Sequence, residues 1–293
     1  MLDFRIKTFL EVCKLRSYTK AAETLCITQP AVTQHIKYLE QYYGGRLFEY
    51  VGRKIELTKN GKLLYQAALT MAADEEKIRK HLLLEEEGKK EFHFGSTLTI
   101  GEFVLPDLLA PFIRNNQDTS LSMIVDNTSV LLKKVRDGEI DFAFIEGYFH
   151  KEEYDYCLFQ KDRFIAVTAD VTRSYEESEL EELLADTIIV RENGSGTREI
   201  LERVLNENNR TIYNFKRVIE IGNVSAIKHF VKSGCGITFL YESAVRQELR
   251  EKKLFEIPLK NHKISREFNF VMLKNSLYKE EYYRFFEKLK EGK

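Results

Sequence analysis

Residues 27–40 read ITQPAVTQHIKYLE, and the fold turns on them. The spacing predicts a short capped helix with two unlike faces. Thr28 suits the N-cap, because its hydroxyl accepts from a free N–H of the first turn. Pro30 falls in that first turn, where a missing N–H costs nothing. Val32, Ile36 and Leu39 recur at helical spacing and should face a core. Gln29, Thr33 and Lys37, with Gln34 beside them, form a second face. Its amide, hydroxyl and ammonium groups are long enough to reach base edges and phosphates in a major groove.

Upstream, residues 2–14 carry Phe4, Ile6, Phe9, Leu10 and Cys13 at helical spacing. Thr19 is expected to cap a second short helix, KAAETL, whose Ala21–Ala22 pair lets another helix cross closely. Cys26 and Ile27 make the turn. Two short helices around a tight turn, the second polar-faced, form a helix-turn-helix. Downstream of Gly44 and Gly45, RLFEYVGRKIELT reads as two short strands around Gly52, a wing. Arg46, Arg53 and Lys54 cluster there, beside the reading helix, where phosphate contact is as natural as plain solvation.

From Thr58 a helical pattern runs to about Glu87, with Leu63, Leu64, Ala67, Ala68, Met71, Ala72, Ile78, Leu82 and Leu83 as its apolar positions. It is too long for so small a head, so a partner helix is expected along its stripe, with packing on the chain's own C-terminal domain as the alternative. A charged break over residues 88–91 follows. Strand and helix patterns then alternate: FHFG, a helix over 99–115, LSMIVDN, SVLLKKVRDG, DFAFIEG, RFIAVTA, TIIV, ITFL and FNFVML. Further helices are expected near 199–208, 224–232 and 279–290. Alternation predicts α/β architecture with mostly parallel sheets. About 200 residues of it suggests two sub-domains with a cleft between them.

Charge separates the two ends. Residues 1–64 hold 11 Lys and Arg against 6 Asp and Glu, while the remainder holds 34 against 40. A basic head on an acidic body fits a head that meets phosphates. The four cysteines, Cys13, Cys26, Cys157 and Cys235, show no metal-ligand spacing and read as small buried hydrophobes. The first residues carry too many charges for a signal peptide, and no apolar run is long enough to span a bilayer. A cytoplasmic protein without membrane contact is expected. No H-E-x-x-H or G-x-S-x-G pattern occurs, so no catalytic or metal site is expected. Glu146, at a strand end, reads as a buried or capping carboxylate more readily than as a base.

Residues 194–199, GSGTRE, follow a strand and open a helix. N–H groups at a helix start favour an anion, and the glycines let the backbone approach it. Gly194, Ser195, Gly196, Thr197 and Arg198 are therefore candidate anion contacts, although the same turn can serve as a plain helix cap. The absence of a G-K-[ST] ending argues against a nucleoside triphosphate. Ser96, Thr97 and Thr99, and also Asn127 and Thr128, lie at comparable strand-to-helix turns. Ligands bind at such C-terminal strand ends in open α/β sheets. Asn223 starts another helix and is a weaker candidate. The expected effector is a small oxyanion or compact acid, a sulfur oxyanion first, because the loops are rich in donors and lack an aromatic cage.

Residues 16–64 resemble the winged head of LysR-type transcriptional regulators. The alanine pair, TQPAV, RLFE and the LT before the linker stand in the family's order. TLTIGEFVLP, FIEG and ENGSGTRE resemble the subgroup that includes regulators of sulfur assimilation and carbon fixation. The resemblance implies an α/β protein with a winged helix-turn-helix head (1–58) and a linker helix (59–88). An effector-binding domain of periplasmic-binding-protein type (89–293) would complete it. Its sub-domain I would span about 89–163 and 268–293, and sub-domain II about 164–267. It further implies a homodimer or dimer of dimers, with antiparallel linkers, bound to double-stranded promoter DNA. It allows contact with RNA polymerase and requires no cofactor beyond the effector. Thr28, Gln29, Pro30, Thr33, Gln34, Lys37, Arg53 and Lys54 would form the DNA face. Two departures stand out: Tyr50 replaces an arginine common in the wing, and Asp126 replaces a glycine before Asn127. A regulator of a small organic carboxylate or phosphorylated metabolite remains an alternative. A solute-binding or scaffold protein without a DNA role is another.

Overall fold

The structure, a computed structural model, describes residues 2–52, 54–83, 90–147, 149–260 and 264–291. The head is α1 (Phe4–Leu15), α2 (Tyr18–Thr24), α3 (Gln29–Tyr42), β1 (Phe48–Val51) and β2 (Lys54–Leu57). Helix α2 begins earlier than expected. Ser17, in extended conformation, caps it by accepting from Lys20 N at 3.3 Å, and Thr19 lies inside the helix. Ala21 and Ala22 are buried beside Val32, Ile36 and Leu39, the predicted inner face of α3. Phe9, Val12 and Leu47 complete that core. The wing is a hairpin pairing Phe48 with Leu57 and Val51 with Lys54.

Helix α4 (Lys59–Leu83) is 25 residues long, about 38 Å at 1.5 Å per residue. Thr58 caps it, accepting from Gly61 N at 3.0 Å. A Cβ on Gly61 would lie 2.0 Å from Leu47 O, so only glycine allows this helix to start against the wing. Residues 84–89, where the linker was expected to end, lie outside the described residues. The helix was expected to pair along one stripe, yet it presents two faces. Ala68 joins the head core, while Thr70, Asp74 and Lys77 are buried against the chain's own body. Leu63, Met71, Ile78 and Leu82 stay exposed.

The body continues with β3 (Lys90–Ser96), α5 (Leu98–Phe103), α6 (Leu105–Asn115), β4 (Thr119–Val125), α7 (Thr128–Arg136), β5 (Phe142–Glu146) and β6 (Tyr154–Thr168). After these come α8 (Leu180–Leu183), β7 (Thr187–Val190), α9 (Gly196–Glu207), β8 (Arg217–Glu220), α10 (Val224–Lys232), β9 (Thr238–Tyr241), α11 (Glu242–Arg250), β10 (Phe255–Ile257), β11 (Ile264–Leu273) and α12 (Lys279–Glu291). The single helix expected over 99–115 is broken at Val104. Pro106 has no N–H for the carbonyl of Glu102 and its ring would strike it.

The body sheets are mixed, not mostly parallel. Strands β3, β4 and β5 are mutually parallel, as are β7 and β8, but β11 runs antiparallel to β5 and β6, and β6 antiparallel to β9 and β10. The long strands β6 and β11 pass between the two lobes and hold them together. Phe94, Phe142, Phe144, Phe270 and Phe286 fill the core of the first lobe. Val224, Ile227, Val231 and Leu240 pack inside the second. Cys13 and Cys157 pack half-buried against the cores, close to the buried hydrophobes expected, whereas Cys26 and Cys235 are exposed. Among the described residues no helix is long and apolar enough to cross a membrane.

Candidate functional site

Thr28 caps α3, its Oγ1 accepting from Ala31 N at 3.3 Å. Thr28, Gln29, Pro30, Gln34 and Lys37 are exposed, and Thr33 is half-buried. Gln29 Nε2 donates to Thr33 Oγ1 at 3.0 Å, which holds both groups on one face. Beneath that face Thr8 Oγ1 lies 2.9 Å from His35 Nδ1, tying α3 to α1. Cys26 adopts φ +55° in the turn. Lys54 and Tyr50 are exposed on the wing, and Arg53 lies outside the described residues.

The C-terminal ends of β3, β4 and β5 lie side by side, because the three strands are parallel neighbours. A cleft of about 170 Å³ opens there, facing the loop after β7. Three helix starts meet on it: Thr97 and Leu98 of α5, Asn127 and Thr128 of α7, and Ser195 and Gly196 of α9. Each brings the positive end of a helix dipole. Asn127 Oδ1 accepts from Val130 N at 3.0 Å, and Ser195 Oγ from Arg198 N at 3.2 Å, so both side chains cap their own helices. Thr128 Oγ1 donates to the carbonyl of Glu146 at 2.6 Å. Thr97 Oγ1 and Thr197 Oγ1 are buried with no hydrogen-bond partner among the described residues.

The other expected contacts fall differently. Ser96 Oγ donates to Thr97 O at 3.1 Å, and Thr99 Oγ1 to Glu146 Oε1 at 3.5 Å, both behind the cleft wall. Gly194, with φ +86°, lines an adjoining cavity of about 520 Å³ that also touches Thr128, Glu146 and Gly196. Arg198 turns away from the cleft. Its Nε donates to Glu202 at 2.8 Å, its Nη1 to the carbonyl of Arg191 at 3.2 Å, and it pairs with Glu220. The carboxylates hold its charge in a buried position away from the cleft lining.

The cation at the cleft is Arg191, just past β7, which the sequence reading missed. It is held by Glu192, accepting from Nε at 2.8 Å and from Nη2 at 2.7 Å. The only signal was its place one residue beyond an apolar strand. Glu146 is the buried strand-end carboxylate expected, but it was not placed among the effector contacts. It lines the cleft at 4% exposure, and its Oε2 has no partner among the described residues. Burial pushes its carboxyl up to about 8, against the pull of Arg191 and the bond from Thr99. Burial therefore favours the protonated form of Glu146, whose O–H can donate into the cleft. Asp126 and Glu192 leave the cleft rim with negative charge that the helix starts must offset.

A family model of the bacterial regulatory helix-turn-helix proteins of the lysR family matches residues 5–62, and one of the LysR substrate binding domain matches residues 85–293. The chain belongs to the LysR family. It is a DNA-binding transcriptional regulator with an effector-binding domain. It is similar to the uncharacterized HTH-type transcriptional regulator YeiE of Escherichia coli K12, at 32% identity over 86% of this chain and 85% of that one. It is also similar to the HTH-type transcriptional regulator CysL of Bacillus subtilis, at 29% identity over 91% and 89%. The regulatory domain of Synechocystis CcmR, in complex with 2-PG, has the same fold, with a TM-score of 0.60 at 20% identity, covering 68% of this chain and 96% of that one.

Proposed function

We propose that this LysR-family regulator reads promoter DNA through Gln29, Thr33, Gln34 and Lys37. Thr28 and Pro30 set the helix start, and Arg53 and Lys54 supply wing contacts. A small oxyanion in the cleft, a sulfur oxyanion first, governs that reading. One observation carries the effector reading. Three helix starts surround a cleft with the buried Glu146, beside which the Thr97 and Thr197 hydroxyls have no partner among the described residues. Buried polar groups without partners cost free energy unless a ligand satisfies them. Gly194, Ser195, Gly196, Asn127 and Thr128 shape the cradle. Ser96, Thr99 and Arg198 support it from behind.

The exposed Leu63, Met71, Ile78 and Leu82 of α4 fit pairing with a second copy of this chain, giving a dimer or a dimer of dimers. The protein then works in the cytoplasm, where its promoter is. A second reading, a phosphorylated metabolite or organic carboxylate, is favoured by the adjoining 520 Å³ cavity, which has room beyond an inorganic ion. The CcmR domain is in complex with 2-PG, an effector choice in keeping with that reading. Titration calorimetry with sulfite, sulfate, thiosulfate, phosphate and simple carboxylates at pH 6.5 tests the choice. A sulfur oxyanion should bind with saturable heat. Binding of bulky neutral compounds alone would overturn the anion reading.

A further inference from the structure

We infer that residues 127–146 form one lever joining the effector cleft to the linker helix, gripped at its bend by the Lys77–Asp141 ion pair. Helix α7 starts in the cleft at Asn127 and Thr128 and runs about 13 Å away from it. The chain then turns at Gly138, where φ is +69°. A Cβ there would lie 2.8 Å from Ala73 Cα, so the turn rests directly on α4. Three residues on, Asp141 Oδ1 accepts from Lys77 Nζ of α4 at 2.9 Å and from Tyr282 OH at 3.0 Å. Its Oδ2 accepts from His93 N at 2.9 Å. Strand β5 then returns to the cleft and ends at Glu146.

The two ends of this unit are tied to each other, since Thr128 Oγ1 donates to Glu146 O. All five residues of β5 are buried, and Leu131 and Val135 of α7 pack beside Ala143 and Ile145 in the same cluster. The interlocked inner side chains of α7 and β5 pass a shift at one end along the unit, while the cavity beside Thr128, Leu132 and Arg136 leaves its outer side room to move. From Asp141 to Glu146 the strand spans about 17 Å at 3.3 Å per residue. A ligand that engages Thr128 and Glu146 therefore acts on Ala73 and Lys77 at the far end. Helix α4 is also pinned by Asp74, which accepts from Ser276 Oγ at 2.6 Å and Leu277 N at 2.9 Å, so lever motion tilts it about that second anchor. The inference rests on the proposed function only in placing the ligand at the Thr128–Glu146 end.

Hydrogen exchange of the full chain, with no ligand or DNA, tests the lever separately from that reading. Glu146→Gln perturbs the cleft end alone, and Glu207→Gln on the outer part of α9 is the control. Glu146→Gln should change amide exchange across residues 66–80 by about threefold or more, and Glu207→Gln should not. Installing Glu146→Gln in a Lys77→Met, Asp141→Asn background, which removes both buried charges together, should abolish that response. Unchanged exchange in α4, or a response that persists in the double background, would overturn the lever. If that background fails to fold, the comparison of Glu146→Gln with Glu207→Gln still decides.

Discussion

Arg198 Nε donates to Glu202 Oε1 at 2.8 Å, one turn along the same helix, instead of facing the effector cleft. The guanidinium is 8% exposed, while its partners Glu202 and Glu220 are 36% and 53% exposed. Removing it leaves carboxylates that water can solvate, so Arg198→Met should cost only about 1–2 kcal/mol. Its melting temperature should fall by a few degrees, about 2–4 °C per kcal/mol. Effector affinity by calorimetry should stay within about twofold of wild type. Lost affinity at an unchanged melting temperature would return Arg198 to the site.

Thr97 and Thr197 should behave in the opposite way. Each buries a hydroxyl with no partner among the described residues, so Thr97→Val and Thr197→Val keep the shape and remove an unsatisfied group. Both variants should be as stable as wild type or slightly more so. Basal operator binding should persist while the effector response disappears. A collapse of all DNA binding in Thr197→Val would indicate that the loop serves folding instead.

Glu146 makes stability and ligand affinity depend on pH. Its carboxyl sits at about 8 when folded, against a usual value of 4.5, so the folded state holds the proton more tightly. That contribution is fully present below about pH 4.5 and is lost as pH rises through about 8, on the order of a few kcal/mol. Denaturant titrations at pH 5.5 and 8.5 should show wild type losing stability relative to Glu146→Gln. Burial also raises the Asp162 carboxyl in both proteins, and its charge adds to the upward shift of Glu146 in wild type alone. Anion affinity should weaken above pH 8 in wild type and stay flat in Glu146→Gln. Parallel pH curves for the two proteins would contradict the assignment.

The head was legible in the sequence because it depends on local signals. Thr28, Pro30 and the Val32–Ile36–Leu39 spacing fix α3 within one segment, and Gly52 fixes the wing turn. The body depended on distant partners. Residues 154–163 of β6 mix polar and apolar side chains, YDYCLFQKDR, so the run looks unlike a strand until β11 pairs with it. The turns at Thr97, Asn127 and Ser195 were visible as strand-to-helix junctions. The direction of Arg198 was not, because it follows from Glu220 on another strand. Glu146 was legible as a buried or capping strand-end carboxylate, but its place on the cleft follows from turns distant in sequence.

The exposed stripe on α4 makes its own prediction. Met71→Glu with Ile78→Glu adds charge to a face that the protein's own body does not cover. Sedimentation should shift this variant toward monomer, with circular dichroism unchanged. An unaltered oligomer would place the interface elsewhere.

On the DNA side, Gln29→Ala should relax base discrimination by about 1–3 kcal/mol at its contact position, while Lys54→Ala should weaken all sequences alike and reduce the salt slope by about one. Competition binding at several salt concentrations separates these outcomes. Equal effects of both substitutions on specific and nonspecific DNA would remove α3 as the reading element.

In the proposed function, an anion in the Thr97–Glu146–Gly196 cleft controls how the head reads DNA. Fluorescence anisotropy on DNA from upstream of the protein's own gene, with and without sulfite at pH 6.5, tests it most directly. Wild type should bind that DNA and change its affinity when sulfite is added, and Thr97→Val should bind equally well without the change. Binding that ignores sulfite in wild type, or a response that survives intact in Thr97→Val, would contradict it.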